Sequence, residues 1–542
     1  MKKYSIGVDF GTLSARAALI DISNGDQVAR SEGKYPHGVM GAEEFSLSSA
    51  MDVAYQHPLD YIEVLKNTVR RVMSDSGVLS EQVSSIGIDF TACTVLPAKF
   101  DGTPICTLPE FKSCPDAYAK LWKHHGAEEE AKYLTSVAEA RGEKWLEMYG
   151  GKISSEWLLP KLYETVKNSP EVISEAQIFI EAADWLVRLL TGSKIRNSCM
   201  AGFKACWNNR DLYPSEEYLR AADSRLAEAF NKLIDGEVKP SGSLAGKLTE
   251  EWAQELGLTT ECKMCVPIID AHATLPSSGI VDKNQLMLIL GTSGCHIIMS
   301  DKDLNIKGIA GKVYGGIVDG LVAYEAGQSA FGDMFAWFAD NMLHDSVRRE
   351  AEMAGVPVLD HLSEKAARLA VGEGGVCVLD WWNGNRTPYM DPNLSGTIVG
   401  LTLSTRPEHI YRGMLEACAF GTRAIVDLMT DGGIEIDSVV ASGGIPAKNP
   451  LMMQIMADVL GLPVKISSST EAGAKGCAIM ASVAAGDYPS IIEASAAMAD
   501  PCRVIYAPNM ENHEKYKELY SIYRTLSAQF ASSDVMKRLR RL

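Results

Sequence analysis

The sequence predicts an α/β protein built as a duplicated two-domain fold with a cleft between the domains. Apolar strands alternate with amphipathic helices, the pattern of layered α/β folds. An apolar strand that runs into a Gly-Thr turn and out into a second apolar strand occurs twice. The first copy is Ile6–Phe10, Gly11-Thr12-Leu13-Ser14 and Ala17–Ile20; the second is Leu288–Leu290, Gly291-Thr292-Ser293-Gly294 and Ile297–Met299. At 542 residues the chain is also too long for one hydrophobic core. The repeat sets a boundary near residues 280–286, with a first domain over 1–284 and a second over 285–542.

The elements follow in order. Residues 4–21 read as a hairpin. Pro58 to Met73 carries Leu59, Ile62, Leu65, Val69 and Val72 at helical spacing. Ser85–Phe90 is a buried strand, and Val95–Phe100 is another that closes at Asp101-Gly102. Residues 115–235, rich in Lys, Glu and Trp, read as a mostly helical insertion that shapes a cleft, and His124-His125 within it reads as surface. Val266–Ile269 is a short buried strand ending at Asp270, and the second hairpin begins near Gln285. Helices are expected over 328–343, 360–371, His409–Met429 and Pro450–Leu460. The strand Val439–Ala441 meets Ser442-Gly443-Gly444. The tail beyond Asn509 is helical and closes on Lys537-Arg538-Leu539-Arg540-Arg541, a solvated helix end.

Composition excludes several classes. Apolar content of 46% and charged content of 22% are those of a globular protein. The net charge of −17 disfavours binding to nucleic acid or anionic membranes. The 12 cysteines are scattered, as expected of reduced thiols in the cytoplasm. Met1-Lys2-Lys3 resembles a signal-peptide start, but Gly7 and Asp9 break the apolar stretch that should follow. No apolar run approaches the roughly 18 residues of a membrane span.

The chemistry lies in the turns and strand ends. Glycine admits close backbone approach, and exposed N–H groups with Thr and Ser hydroxyls suit phosphate oxygens. Gly11, Thr12 and Ser14 in one half, with Gly291, Thr292 and Ser293 in the other, therefore point to a nucleotide's phosphate chain. No G-x-x-x-x-G-K-[ST] loop is present: Ser241–Lys247 has Ser in place of the first glycine. Asp9 lies two residues before its turn glycine. A carboxylate beside a triphosphate needs a cation between them, which makes Asp9 the candidate Mg²⁺ ligand; an Asp there can also cap its own turn. Asp270 ends a buried strand where open α/β sheets bind ligands, a position for a general base and equally for a helix cap. Gly443 and Gly444 follow a strand and precede a helix. His272 reads as a packed or hydrogen-bonded histidine. Cys262-x-x-Cys265 lacks the second pair that a zinc site needs.

Together these residues resemble the FGGY carbohydrate kinases, a family with the duplicated fold of actin and hexokinase (ribonuclease H-like domains). Ile6–Ile20 is similar to the family's first phosphate motif, and Leu290–Ser293 to its second. Ser442-Gly443-Gly444 with Asn449, Met453-Gln454 and Ala457-Asp458 is similar to its adenosine motif. Gly396, Ile398, Gly400-Leu401, His409-Ile410 and Met414-Leu415-Glu416 resemble its C-terminal signature, with Gly413 where Ala or Ser is more usual. Asp89–Thr94, Glu156–Lys161, Ala201–Lys204, Asp270–Ala273 and Tyr324–Gly327 are closest to the L-ribulose-phosphorylating branch of the family. The resemblance implies ATP and Mg²⁺ as cofactors and a ketopentose as substrate. L-Ribulose, converted to L-ribulose 5-phosphate in arabinose catabolism, is the first choice; xylulose, D-ribulose and ribitol are alternatives. It implies Asp270 as catalytic base, and Ala92 (through its backbone), Lys204 and Glu325 as sugar contacts. Gly443, Gly444 and Asn449 would hold the adenosine. A homodimer is implied. A chaperone-like or filament-forming ATPase would need a partner-binding region that the sequence does not display, and a non-catalytic sensor would need a damaged base or phosphate turn.

Overall fold

The computed structural model describes residues 2–48 and 52–539; Met1, Arg540 and Arg541 of the motifs above lie outside them. The chain divides into two compact units. The first is Met1–Asp282, Lys312–Ala323 and Ser469–Asp500; the second is Lys283–Gly311, Tyr324–Ser468 and Pro501–Leu542.

The first unit is built on one twisted sheet in the order Leu244–Lys247, Lys263–Cys265, Val83–Phe90, Tyr4–Phe10, Ser14–Asp21, Gln27–Lys34, with Ile268–Ile269 also paired to Val83–Phe90. Tyr4–Phe10 is antiparallel to Ser14–Asp21, as a hairpin must be, and parallel to Val83–Phe90. Its apolar side chains are fully buried: Ile6, Val8 and Phe10 expose nothing. Helix Pro58–Ser76 begins with Pro at its first turn and ends at Gly77 in the left-handed conformation, φ 65°.

Sequence reading assigns 285–542 wholly to the second domain; in the structure two segments return to the first unit. Helix Ala472–Ala485 lies flat on the sheet because glycines leave room for it. A Cβ on Gly7 would stand 1.6 Å from the Ala474 carbonyl oxygen, and one on Gly476 would stand 1.7 Å from that of Ala273. Ser5 Oγ donates to the Ala478 carbonyl at 3.0 Å. Segment 312–323 is held through its carbonyls: Ser198 Oγ donates to Gly315 O at 2.9 Å and Ser241 Oγ to Gly316 O at 2.8 Å.

The insertion, expected to be mostly helical, also contributes short strands. Helices Glu128–Arg141, Leu158–Asn168, Ala182–Thr191 and Ser224–Leu233 dominate it, over a hydrophobic cluster that includes Leu134, Leu159, Leu162 and Tyr218. Yet its short strands Ala119–Lys120 and Ile178–Glu181 join Tyr55–Gln56 and Val95–Ala98 in a separate four-stranded sheet. Val95–Ala98 therefore leaves the main sheet that Val83–Phe90 occupies. The turn between these two strands carries Ala92, and Cys93 makes it by adopting a left-handed φ of 58°.

The second unit repeats the hairpin. Gln285–Leu290 is antiparallel to Gly294–Ser300 and parallel to Ser438–Ser442, and the sheet continues through Val464–Ile466 to Val504–Tyr506. Helices Gly332–Asn341, Val358–Ala366, Pro407–Asp431, Pro450–Leu460 and Met510–Ser532 cover it. Lys537 of the basic tail is not merely solvated: its ammonium pairs with Asp391 at 2.6 Å.

Candidate active site

The first Gly-Thr turn is held from behind. Tyr35 OH donates to the Gly11 carbonyl at 3.0 Å, Gln56 Nε2 to the Thr12 carbonyl at 2.7 Å, and the Tyr35 amide to the Leu13 carbonyl at 3.1 Å. Carbonyl oxygens are the negative ends of the peptide dipoles. Tying all of them to donors takes them off the face where an anion would approach and leaves the turn a suitable nest. Trp122 Nε1 donates to Thr12 Oγ1 at 3.2 Å, and the Ser14 hydroxyl donates to Glu32 at 2.9 Å. Tyr35, Gln56 and Trp122 carry no local signal, since each reaches the turn from a distant segment.

Asp9 and Asp89 are paired across the parallel strands Tyr4–Phe10 and Val83–Phe90, and Ile268 pairs with Asp89 from the other side. Asp270 begins helix Asp270–Ser277 immediately after that strand, its Oδ1 accepting from the Ala271 amide at 2.7 Å. Burial holds Asp89 well above the usual carboxylate range, and the Asp9 and Asp270 carboxyls push it the same way. Burial raises Asp9 too, against the lowering effects of its Asp89 hydrogen bond and of Arg16, whose Nη1 stands 3.6 Å from Asp9 Oδ2. Asp89 Oδ2 accepts from Cys477 Sγ at 3.2 Å, while its buried Oδ1 has no partner among the described residues. A Cβ on Gly473 would crowd Asp89 Oδ2 at 2.7 Å and Asp9 Cγ at 3.1 Å. Hard oxygen donors, an unused buried oxygen and space kept by a glycine are what Mg²⁺ requires, so these residues fit the ion.

The sugar-side candidates of this unit are well ordered by their neighbours. Ala92 is half-buried in the turn Thr91–Thr94, whose hydroxyls Thr91 Oγ1 and Thr94 Oγ1 share a 2.8 Å bond. Lys204 ends the buried helix Ser198–Lys204, and Asn197 caps that helix by accepting from the Cys199 and Met200 amides. Cys206, two residues on, is left-handed at φ 59°. Two non-glycine residues in that region thus flank Ala92 and Lys204, a conformation that costs energy and is tolerated where surroundings over-determine it.

In the second unit, Gly291 N donates to Ser293 O at 3.0 Å, and the start of helix Gly332–Asn341 donates back into the turn: Gly332 N to Gly291 O and Phe331 N to Thr292 O, both 2.9 Å. Glu325 is buried on strand Val322–Gln328. Gly443 has φ 109°, and a Cβ there would meet the Leu290 carbonyl at 2.5 Å; Gly444 faces open space. Asn449 is already engaged. Its Oδ1 caps helix Pro450–Leu460 by accepting from Met452 N at 2.9 Å, and its Nδ2 faces Tyr411 OH and Ser363 Oγ. Ile289, aligned with Asp9 in the repeat, pairs with Ser442 where Asp9 pairs with Asp89, so this half brings no carboxyl to the equivalent place.

Histidines outside this site have structural roles. His124 is fully buried and not on the surface, correcting the sequence reading. Its Nε2 lies 3.0 Å from Glu164, which also pairs with Lys120 at 2.7 Å. Burial would raise Glu164, but Lys120 and His124 together hold it well below the carboxylate range. His272 is packed, with Nδ1 2.8 Å from Cys199 Sγ. His37, His57 and Asp60 bring ligand-type atoms within 4.8 Å of one another. There, His37 Nδ1 bonds Asp60 at 2.7 Å, and His57 Nδ1 accepts from Leu59 N as the cap of its helix.

The structure resembles xylulose kinase from Lactobacillus acidophilus with TM-score 0.80 at 18% identity, covering 98% of this chain and 99% of that one. It resembles Plasmodium falciparum glycerol kinase with ADP at TM-score 0.78 and 18% identity, covering 98% of each. Models of the FGGY family of carbohydrate kinases match residues 4–275 with the N-terminal domain and 286–485 with the C-terminal domain. The chain belongs to the FGGY family of carbohydrate kinases. Among its relatives it is 44% identical to the ribulokinase of Geobacillus thermodenitrificans, over 99% of this chain and 97% of that protein. It is 42% identical to the ribulokinase of Mycolicibacterium smegmatis, over 99% and 96% respectively.

Proposed function

We propose that the protein phosphorylates L-ribulose with ATP, giving L-ribulose 5-phosphate and ADP, a step of arabinose catabolism. The observation that carries the chemistry is Asp270 at the strand end beside the Asp9–Asp89 pair, within a chain so similar to ribulokinases. Asp270 accepts the proton of the sugar's terminal hydroxyl as its oxygen bonds to the γ-phosphorus, and the bond from that phosphorus to the ADP oxygen breaks. Ala92, Lys204 and Glu325 orient the sugar by hydrogen bonds. Gly11 and Thr12 present phosphate-binding groups, with Ser14 shaping that turn; Gly291, Thr292 and Ser293 present theirs in the second unit. Gly443 and Gly444 lie against the adenosine, and Asn449 fixes the helix beside it. Asp9 holds Mg²⁺, which when bound neutralises phosphate charge.

We further place the enzyme in the cytoplasm as a homodimer. All its cysteines are free thiols, and among the described residues no helix is long and apolar enough to cross a membrane. A coupled ADP-release assay over L-ribulose, D-ribulose, xylulose and ribitol tests the substrate. The highest kcat/KM is expected with L-ribulose; a clear preference for another sugar contradicts that assignment.

A further inference from the structure

Lys161 is fully buried on helix Leu158–Asn168, and its ammonium makes no ion pair among the described residues. It donates to the carbonyl of Cys93 at 2.7 Å and to that of Leu121 at 2.5 Å. The first carbonyl belongs to the turn that carries Ala92. The second precedes Trp122, whose indole N–H grips the hydroxyl of Thr12 in the first phosphate turn. We propose that Lys161 is a positioning residue for phosphoryl transfer, tying the sugar-contacting turn and the first phosphate turn into one frame.

An ammonium taken out of water is costly, and an apolar side chain of similar volume would fill the same space at lower cost. What the ammonium adds is geometry. One short cationic donor bridges two carbonyls just beyond the point where Val95 pairs with Lys120. It does so at Cys93, whose left-handed φ of 58° would otherwise relax. Thr94 O, one residue on, accepts from Ala182 N at 2.7 Å, so the turn is pinned on both sides of Cys93. Burial pushes the Lys161 ammonium down to about 8, against the raising effects of Cys93, Glu181 and Glu156, so it is the two short carbonyl bonds that define its place. A turn so fixed holds the Ala92 backbone at a set distance from Thr12, and phosphoryl transfer depends on such alignment.

The inference rests on the sugar-kinase reading, so wild-type activity over the sugar panel is measured first. Its absence overturns that reading alone, and its result names the sugar used next. Lys161→Met is then compared with wild type in KM for sugar, KM for ATP, kcat and unfolding midpoint. The expected result is a sugar KM raised about tenfold or more and kcat lowered about tenfold, with the ATP KM within about twofold. A lower unfolding midpoint with unchanged sugar KM and kcat would show a merely structural lysine and overturn the proposal. If Lys161→Met does not fold, Lys161→Gln, which keeps one donor, is expected to show the same split at smaller amplitude; kinetics equal to wild type would overturn it as well.

Discussion

Asp9 and Asp89 stand directly opposite each other on two parallel strands, and burial holds Asp89 well above the usual carboxylate range. The two acids are therefore unequal. Asp9, with its side chain 18% exposed, is the accessible one; Asp89 is fully buried beside it. Asp9→Asn is expected to lower kcat by about a hundredfold and raise the Mg²⁺ concentration needed for half-maximal activity. Asp89→Asn keeps a donor toward Asp9 and is expected to stay within about tenfold of wild type. Steady-state kinetics over a Mg²⁺ series separates the two; equal losses in both variants would contradict this division of labour.

The first Gly-Thr turn owes its shape to donors behind it. Gln56→Ala removes the bond to the Thr12 carbonyl and is expected to lower kcat/KM for ATP about tenfold, on the scale of one hydrogen bond worth about 1–1.5 kcal/mol. The unfolding midpoint should fall little. ATP kinetics at saturating sugar checks it.

Gly7→Ala is expected to destabilise the first unit by more than about 3 kcal/mol, because its Cβ would have to overlap the Ala474 carbonyl on a helix that cannot withdraw without breaking the sheet's cover. Soluble yield and chemical denaturation report the effect. A well-folded Gly7→Ala with wild-type stability would mean that helix Ala472–Ala485 is not seated on this sheet.

Acid should weaken the second unit through His296. This residue is buried on strand Gly294–Ser300 with Nε2 3.1 Å from Thr422 Oγ1, and burial pushes its pKa down to about 3. The unfolded chain takes up the proton near pH 6.5, whereas the folded protein refuses it until near pH 3. Between these values the unfolded state binds more protons. Stability is thus full above about pH 6.5 and is lost as pH falls, at up to about 1.4 kcal/mol per pH unit. Denaturation midpoints from pH 7 to pH 4 for wild type and His296→Gln test this; the variant should show the shallower decline.

Much of the site was legible because its signals are local. A strand, a Gly-Thr turn and an acid two residues before the glycine can be read along the chain, and so can Asp270 after Val266–Ile269. What brings the parts together was not legible. Tyr35, Gln56, Trp122 and Lys161 act through backbone carbonyls far away in sequence, and a carbonyl leaves no mark in the amino-acid code. The return of Ala472–Ala485 to the first sheet has a faint signature in its run of small residues, which only matters once Gly7 and Gly87 are known to face it. His124 misled because charged neighbours usually mean solvent. Here Lys120 pairs with both Asp116 and Glu164 in the interior, and His124 bonds the same Glu164.

The central claim is that Asp270 removes the sugar's proton. The direct measurement is the turnover of Asp270→Asn with ATP, Mg²⁺ and L-ribulose, alongside sugar binding followed by calorimetry. The expected result is a kcat lower by about 10²–10⁴-fold, with sugar still bound and the unfolding midpoint unchanged. A folded Asp270→Asn protein that turns over at near wild-type rate would contradict it.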